Sequence, residues 1–417
     1  MFFSFVSVVH SLRPFVIVPS MLGSVLYGDI HDLRSHWYCS KNMENHWIWI
    51  ADKYLIPPMT NCMAEYLECG WNETSQKSGS RPEANIYTID FGGDKAIRYL
   101  DPGIFGKHFF PNLVYLFDHF AKRGYKIKES MFGAPFDWRL NPVAIDDYFP
   151  QLKNLIEEAY RKGGNQKVAL YTLSAGSMAL HTFFTKIVSK EWKEKYISRI
   201  LIHGPSLPGG IDTLETLWQG KISFMPEKYD TQSIRDFALS LPTLHAHLLN
   251  HHIYGDDPIV IGPQGEQYTA KDLPELLKAH GKIPSKFLKM FDFGSKYPSN
   301  EIIDIEIPTY FLFNSVLTTA RTLVFKNGWD KPYQKINTTG DDTISQKGLF
   351  YMCNKWIGKL PLICHDLRVN NPDYNHGGQI HHNDVLDIVW KVINEDGWMV
   401  PGKHNATGTT TDDWSKF

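Results

Sequence analysis

Past its first few residues the chain has no run of about eighteen apolar residues, the length a membrane-spanning helix needs, so no transmembrane segment is expected. It also has no Lys/Arg cluster long enough to track a phosphate backbone, and its net charge is −2, so nucleic acid is not an expected partner. Cysteine is scarce, and Cys39, Cys62, Cys69, Cys353 and Cys364 show neither a zinc spacing nor a C-x-x-C redox pair. His245, His247, His251 and His252 crowd one region, but no carboxylate or cysteine is spaced with them as a ligand set would require. No metal and no cofactor are therefore expected.

At 417 residues and 48.0 kDa the chain can bury a large core, as two domains or as one α/β core with insertions. Aromatic residues make up 14%, which suits a large core and equally a surface that meets lipid. The opening Met1-Phe-Phe-Ser-Phe-Val-Ser-Val-Val has the apolar run of a secretory signal without its basic start; a first core strand is the alternative reading. Sequons begin at Asn72, Asn337 and Asn405 in polar surroundings. With the cysteines, they point to a secreted or lumenal compartment.

Short apolar runs alternate with helical periodicity through much of the chain, the pattern of a parallel α/β sheet. Pro14–Val18 reads as a strand closed by Pro19 and a small-residue turn through Gly23. Such a turn of free amides suits an oxyanion hole, with Met21 and Leu22 as donors, although an ordinary strand-to-loop turn has the same sequence. Tyr125–Lys128 is strand-like, and Pro142 to Gly163 reads as a helix. Lys167–Leu173 is a second buried strand, which turns at Ser174 into a helix. A strand-turn-helix elbow presents one serine and needs small neighbours; Gly176 supplies one, while Thr172 stands where the usual pattern has Gly. Taken alone, such a serine is as readily a helix N-cap.

Ile200–Gly210 and Pro308–Ser315 return the chain to the sheet on either side of an irregular stretch, 211–307. That stretch holds Leu214, Leu217, Trp218, Ile222, Phe224 and Met225 and then a polar patch, Glu227 to Ser233, which fits either a lid over an apolar groove or a static helical cap. Trp37, Trp47, Trp49 and Trp71 crowd into 31–93, a segment fit to contact a lipid surface or simply to pack on the core. The expected organisation is thus an N-terminal segment 1–13, a core from 14–30, 94–210 and 308–400, insertions 31–93 and 211–307, and a polar tail 401–417. Within Gly133-Ala-Pro-Phe-Asp-Trp-Arg-Leu-Asn-Pro142, no spacing rule assigns catalysis, and Asp137 with Arg139 fits a buried clamp.

Ser174, Asp341 and His382 occur in the order serine, acid, histidine, which is the chain order of the α/β-hydrolase triad. Asp341 adjoins Asp342 on a turn, and His382 adjoins His381 at the start of an amphipathic helix, so surface roles for these residues are the plain alternative.

Five stretches together carry a family resemblance. They are Phe15-Val-Ile-Val-Pro-Ser-Met-Leu-Gly-Ser24, Gly133-Ala-Pro-Phe-Asp-Trp-Arg139, Leu173-Ser-Ala-Gly176, Gly340-Asp-Asp-Thr-Ile344 and His382-x-x-Val-Leu386. In order and over nearly the whole chain, this set resembles the lecithin:cholesterol acyltransferase family, including its lysosomal phospholipase A2 branch. The resemblance implies an α/β-hydrolase fold with an inserted cap or lid and a small disulfide-closed membrane-binding subdomain. It implies Ser174 as nucleophile, Asp341 as acid and His382 as base, with the amides of Met21 and Ala175 as oxyanion donors. It further implies a Cys39–Cys62 disulfide and Trp37, Trp47 and Trp49 facing lipid, with the lid after Gly210. Cys353 lies near a family cysteine whose early partner is absent here; Cys364 is the local candidate, leaving Cys69 free.

The function so implied is transfer of an acyl chain from a glycerophospholipid through Ser174 to a sterol or other lipid alcohol. Release to water, as by a phospholipase A, is the alternative, and a silent lipid-binding protein is the competitor of another class. The expected partners are a phospholipid membrane or lipoprotein-like surface and a lipid alcohol acceptor, met by a monomer.

Overall fold

Val168–Leu173 is apolar at five of its six positions and buried at all of them, as befits a strand covered on both faces. Around it forms a six-stranded sheet, all parallel, from β1 (Phe15–Val18), β2 (Met131–Gly133), β3 (Val168–Leu173), β4 (Ile197–His203), β5 (Thr309–Phe313) and β6 (Leu362–Asp366), in the order β6-β5-β4-β3-β1-β2. The chain is seen in a computed structural model that describes residues 12–101, 111–220, 231–356 and 360–400. The opening apolar run, the tail from 401 and the lid residues Ile222, Phe224, Met225 and Glu227 lie outside the described residues.

Helices cover the sheet. One, α1 (Tyr148–Lys162), buries Leu152, Leu155, Ile156 and Ala159 at helical spacing and stops at Gly163. The short α2 (Gly176–Thr182) leaves the end of β3, and α3 (Asn383–Asn394) buries Val385, Leu386, Val389, Val392 and Ile393. The strand expected at Tyr125–Lys128 is only an isolated bridge at Ile127, and the ladder instead forms at Met131–Gly133. Lys126 and Lys128 cannot enter a sheet covered on both faces, whereas Met131, Phe132 and Gly133 are all buried there. Gly133 is held to that identity by packing, because a Cβ on it would fall 2.1 Å from the Gly93 carbonyl oxygen.

Two insertions flank the core. Between β1 and β2, Leu26–Ile30, Met43–Trp49 and Ala84–Tyr87 form a three-stranded antiparallel sheet. Against it lies helix Met59–Leu67, tied by a Cys39–Cys62 disulfide with a Cα separation of 5.4 Å. Between β4 and β5 lies a series of short helices, among them Ile211–Gln219, Gln232–Leu239, Pro242–Ala246, Leu273–His280 and Leu288–Gly294. Cys353 and Cys364 form the second disulfide, and Cys69 is free and buried. Among the described residues no helix is long and apolar enough to cross a membrane, and no group of three His, Cys, Asp or Glu side chains is placed to hold a metal.

Candidate active site

β3 ends at Leu173, and Ser174 follows with φ +51°, a left-handed backbone that a non-glycine residue adopts only where its surroundings impose it. Its amide donates to the His203 carbonyl at 3.0 Å, and its carbonyl accepts from the Ser177 amide at 2.9 Å, so the turn is tied to β4 and to α2. Thr172, where small residues are usual, is fully buried. The room it takes comes from Gly176, where a Cβ would lie 2.3 Å from Thr172 Oγ1 and 2.4 Å from the Pro19 carbonyl oxygen. Thr172 Oγ1 has no hydrogen-bond partner among the described residues.

The register Val18↔Thr172 brings the ends of β1 and β3 level, so Met21 and Ala175 both lie three residues beyond paired positions. The Gly23 amide donates to the Ser20 carbonyl at 3.1 Å, and Leu22 has φ +64°, which closes a tight turn about Met21 and Leu22. Among the described residues no hydrogen bond occupies the amide of Met21 or of Ala175.

The histidine beside Ser174 is His376, not His382. His376 Nε2 is 2.8 Å from Ser174 Oγ, and its Nδ1 is 2.7 Å from Asp341 Oδ2. Asp341 is fully buried, and its Oδ1 accepts from the amides of Thr343 and Ile344 at 3.1 and 2.6 Å. The His376 amide also donates to the Asp341 carbonyl at 2.7 Å, so the two residues are joined through backbone and side chain. Beneath the ring, a Cβ on Gly204 would come within 3.2 Å of its Cε1 and Nδ1.

His382 is the residue that opens α3, and there its ring stacks on Tyr374 with centroids 3.8 Å apart while Nε2 bonds the Asp373 carbonyl. The helix start turns it away from Ser174. His376 carried no helical or strand period, since it stands in the loop Asn375-His-Gly-Gly378. Its one sequence signal is that loop itself: a histidine before two glycines, between the last strand and the last helix.

Burial works to lower the His376 pKa, but the Asp341 carboxylate, its hydrogen bond and the charges of Asp212 and Asp342 outweigh this, and the pKa is raised above the ordinary histidine value. Burial and the neighbouring Glu215 push Asp212 up to about 6. A base that must be neutral loses activity as pH falls through its pKa, so the acid limb of kcat/KM should lie above the usual histidine range. Asp342→Asn removes one negative charge at a residue whose φ of +81° asparagine tolerates. That limb should then move to lower pH; a pH profile superimposable on wild type would show that Asp342 does not act on His376.

The aromatic insertion departs in part from expectation. Trp37 is 91% exposed, whereas Trp49 is only 4% exposed. The Trp49 indole meets Trp138 edge-on at 4.9 Å and donates to the Leu22 carbonyl, because the end of its strand abuts the core. Trp47 is half-buried and donates to the Trp49 carbonyl.

Comparison with known proteins agrees with this architecture. The lecithin:cholesterol acyltransferase profile matches residues 45–283, more than half of the chain. The chain belongs to the lecithin:cholesterol acyltransferase family. It is 24% identical to a phosphatidylcholine-sterol acyltransferase of Rattus norvegicus over 91% of this chain and 84% of that one. It is 23% identical to a lysosomal phospholipase A and acyltransferase of the same organism, over 82% of this chain and 81% of that one. Among solved structures, the crystal structure of the Tle4-Tli4 complex aligns with a TM-score of 0.51 at 10% identity, over 92% of this chain and 97% of that one. The likeness is one of fold, and together with the parallel sheet it agrees with an α/β-hydrolase fold.

Proposed function

We propose that the protein is a serine acyltransferase and phospholipase that takes a fatty acyl chain from a glycerophospholipid onto Ser174 and passes it to a sterol, another lipid alcohol or water. The observation that carries this is the Ser174–His376–Asp341 hydrogen-bonded line at 2.8 and 2.7 Å. Serine is too weak an acid to attack unaided, so His376 takes its proton as Oγ adds to the ester carbonyl. Asp341, already fixed by two amides, holds the Nδ1–H tautomer and stabilises the imidazolium. The amides of Met21 and Ala175 are the donors for the oxyanion. His376 then gives its proton to the departing lysolipid oxygen, and the acceptor hydroxyl repeats the sequence in reverse.

Exposed Trp37 and Ile56, 91% and 66% accessible, support a lipid-facing role for segment 31–93. The segment 211–307 is assigned as the cap over the acyl groove, with 14–30, 94–210 and 308–400 as the catalytic core. The names of the relatives support the substrate class, and the sequons and disulfides support a secreted or lumenal setting.

A fluorophosphonate probe should label the wild-type protein and fail to label Ser174→Ala. Folded wild-type protein that takes no label would leave only a silent lipid binder. Labelled phosphatidylcholine vesicles with and without cholesterol or a short alcohol then assign the acceptor, and free fatty acid as sole product under every condition would reduce the activity to phospholipase A.

A further inference from the structure

Behind Ser174 a run of hydrogen bonds leaves the elbow and ends in the cap. The Ser174 carbonyl accepts from the Ser177 hydroxyl at 2.6 Å as well as from the Ser177 amide. Ser177 Oγ in turn accepts from the Ser206 amide at 3.3 Å, and Ser206 Oγ lies 3.2 Å from His247 Nε2. His247 Nδ1 is 2.7 Å from the Thr243 carbonyl. A carbonyl only accepts, so Nδ1 carries the proton, and Nε2 is left to accept from the Ser206 hydroxyl. The direction of every bond in the run is thereby fixed.

All of these groups are withdrawn from water: Ser177 is 0%, Thr243 1%, Ser206 4% and His247 6% exposed. Burial first, and then the nearby His376, bring His247 down to about 4, so it is neutral wherever the base is. The backbone of the same segment presses on the loop after β4, since a Cβ on Gly209 (φ +74°) would fall 2.3 Å from the Leu248 carbonyl oxygen and 2.7 Å from that of His247. A core histidine needs its nitrogens satisfied and nothing more. This one is satisfied by bonds that end on the carbonyl of Ser174, whose left-handed backbone persists only if the surroundings overdetermine it.

We propose that His247 is a positioning residue for acyl transfer: through Ser206 and Ser177 it holds the Ser174 carbonyl and fastens the nucleophile elbow to the cap. This rests on Ser174 being the nucleophile.

Three variants separate the role from packing. Ser206→Ala removes only the hydroxyl. His247→Asn keeps a donor near the Nδ1 position and loses the acceptor at Nε2, whereas His247→Gln keeps an acceptor near Nε2 and gives up the donor. A displacement of about 1 Å at a reacting group can cost up to ~100-fold, and a partly relaxed elbow less. The readouts are the rate of fluorophosphonate labelling, kcat and KM on phosphatidylcholine vesicles, and the Tm of each variant.

Ser206→Ala and His247→Asn should each slow labelling and lower kcat about tenfold at unchanged KM, with the double variant no slower than either. His247→Gln should recover most of the rate. Wild-type labelling rates in folded Ser206→Ala or His247→Asn would overturn the proposal, as would a double variant whose loss is the product of the singles. Wild-type protein that never labels at Ser174 is the separate result that removes the underlying reading.

Discussion

Replacing His376 with alanine should lower kcat/KM by several powers of ten, roughly 10⁴ to 10⁶, the scale on which a serine hydrolase loses activity with its base. His382→Ala should leave it within about twofold. The contrast follows from where the two rings point: His376 bridges Ser174 Oγ and Asp341 Oδ2, whereas His382 lies on Tyr374. Without His376 the hydroxyl proton has no acceptor and the leaving alkoxide no donor, so both halves of the cycle fail. Vesicle binding should survive in both variants, because neither residue lies in segment 31–93, which is proposed to meet lipid. The assay is release of labelled fatty acid from phosphatidylcholine, with tryptophan fluorescence on vesicles as the binding control. Loss on His382→Ala with activity kept in His376→Ala would overturn the assignment.

The physics of each element decides how much of this was legible in the sequence. β1, β3 and β5 are runs of buried apolar residues long enough to stand out, and the turn after β3 marks Ser174 by its small neighbours. β2 spans only Met131–Gly133, too short to show a period, and its place is set by what it pairs with. Asp341 follows a strand on a turn and was readable as a candidate acid. His376 was not, because a loop residue is placed by tertiary bonds, here to Asp341 through both backbone and ring, that leave no pattern along the chain. Histidines at the head of an amphipathic helix are far more visible, and His382 stands at one. The same limit explains Trp49: clustered tryptophans suggest a wet surface, but only the fold reveals that its indole reaches back to Trp138. Thr172 departs from the small-residue pattern, and the compensation lies across the turn at Gly176.

Asp137→Ala should destabilise the protein by about 3–5 kcal/mol, the cost of leaving a buried charge without its partner. Arg139 is fully buried, and its Nε and Nη2 clasp Asp137 at 2.9 and 2.6 Å in a two-pronged pair. Its Nη1 donates to the Leu67 carbonyl and Nη2 to Ser80 Oγ, both in the disulfide-bearing insertion, while its carbonyl accepts from the amide of Thr243 in the second insertion. Arg139 therefore ties the core to the first insertion through its guanidinium and to the second through its backbone carbonyl. Burial works against its charge, yet Asp137 and its hydrogen bonds win and keep it protonated. Removing the acid leaves that buried charge without its carboxylate. Arg139→Met with Asp137→Leu removes both charges together, and this double variant should lose less than the sum of the single losses. Denaturant unfolding of Asp137→Ala, of Arg139→Met and Asp137→Leu singly, and of the double variant measures these costs. A cost below about 1 kcal/mol for Asp137→Ala would mean that the pair is solvated in solution and that another contact carries the three-way junction.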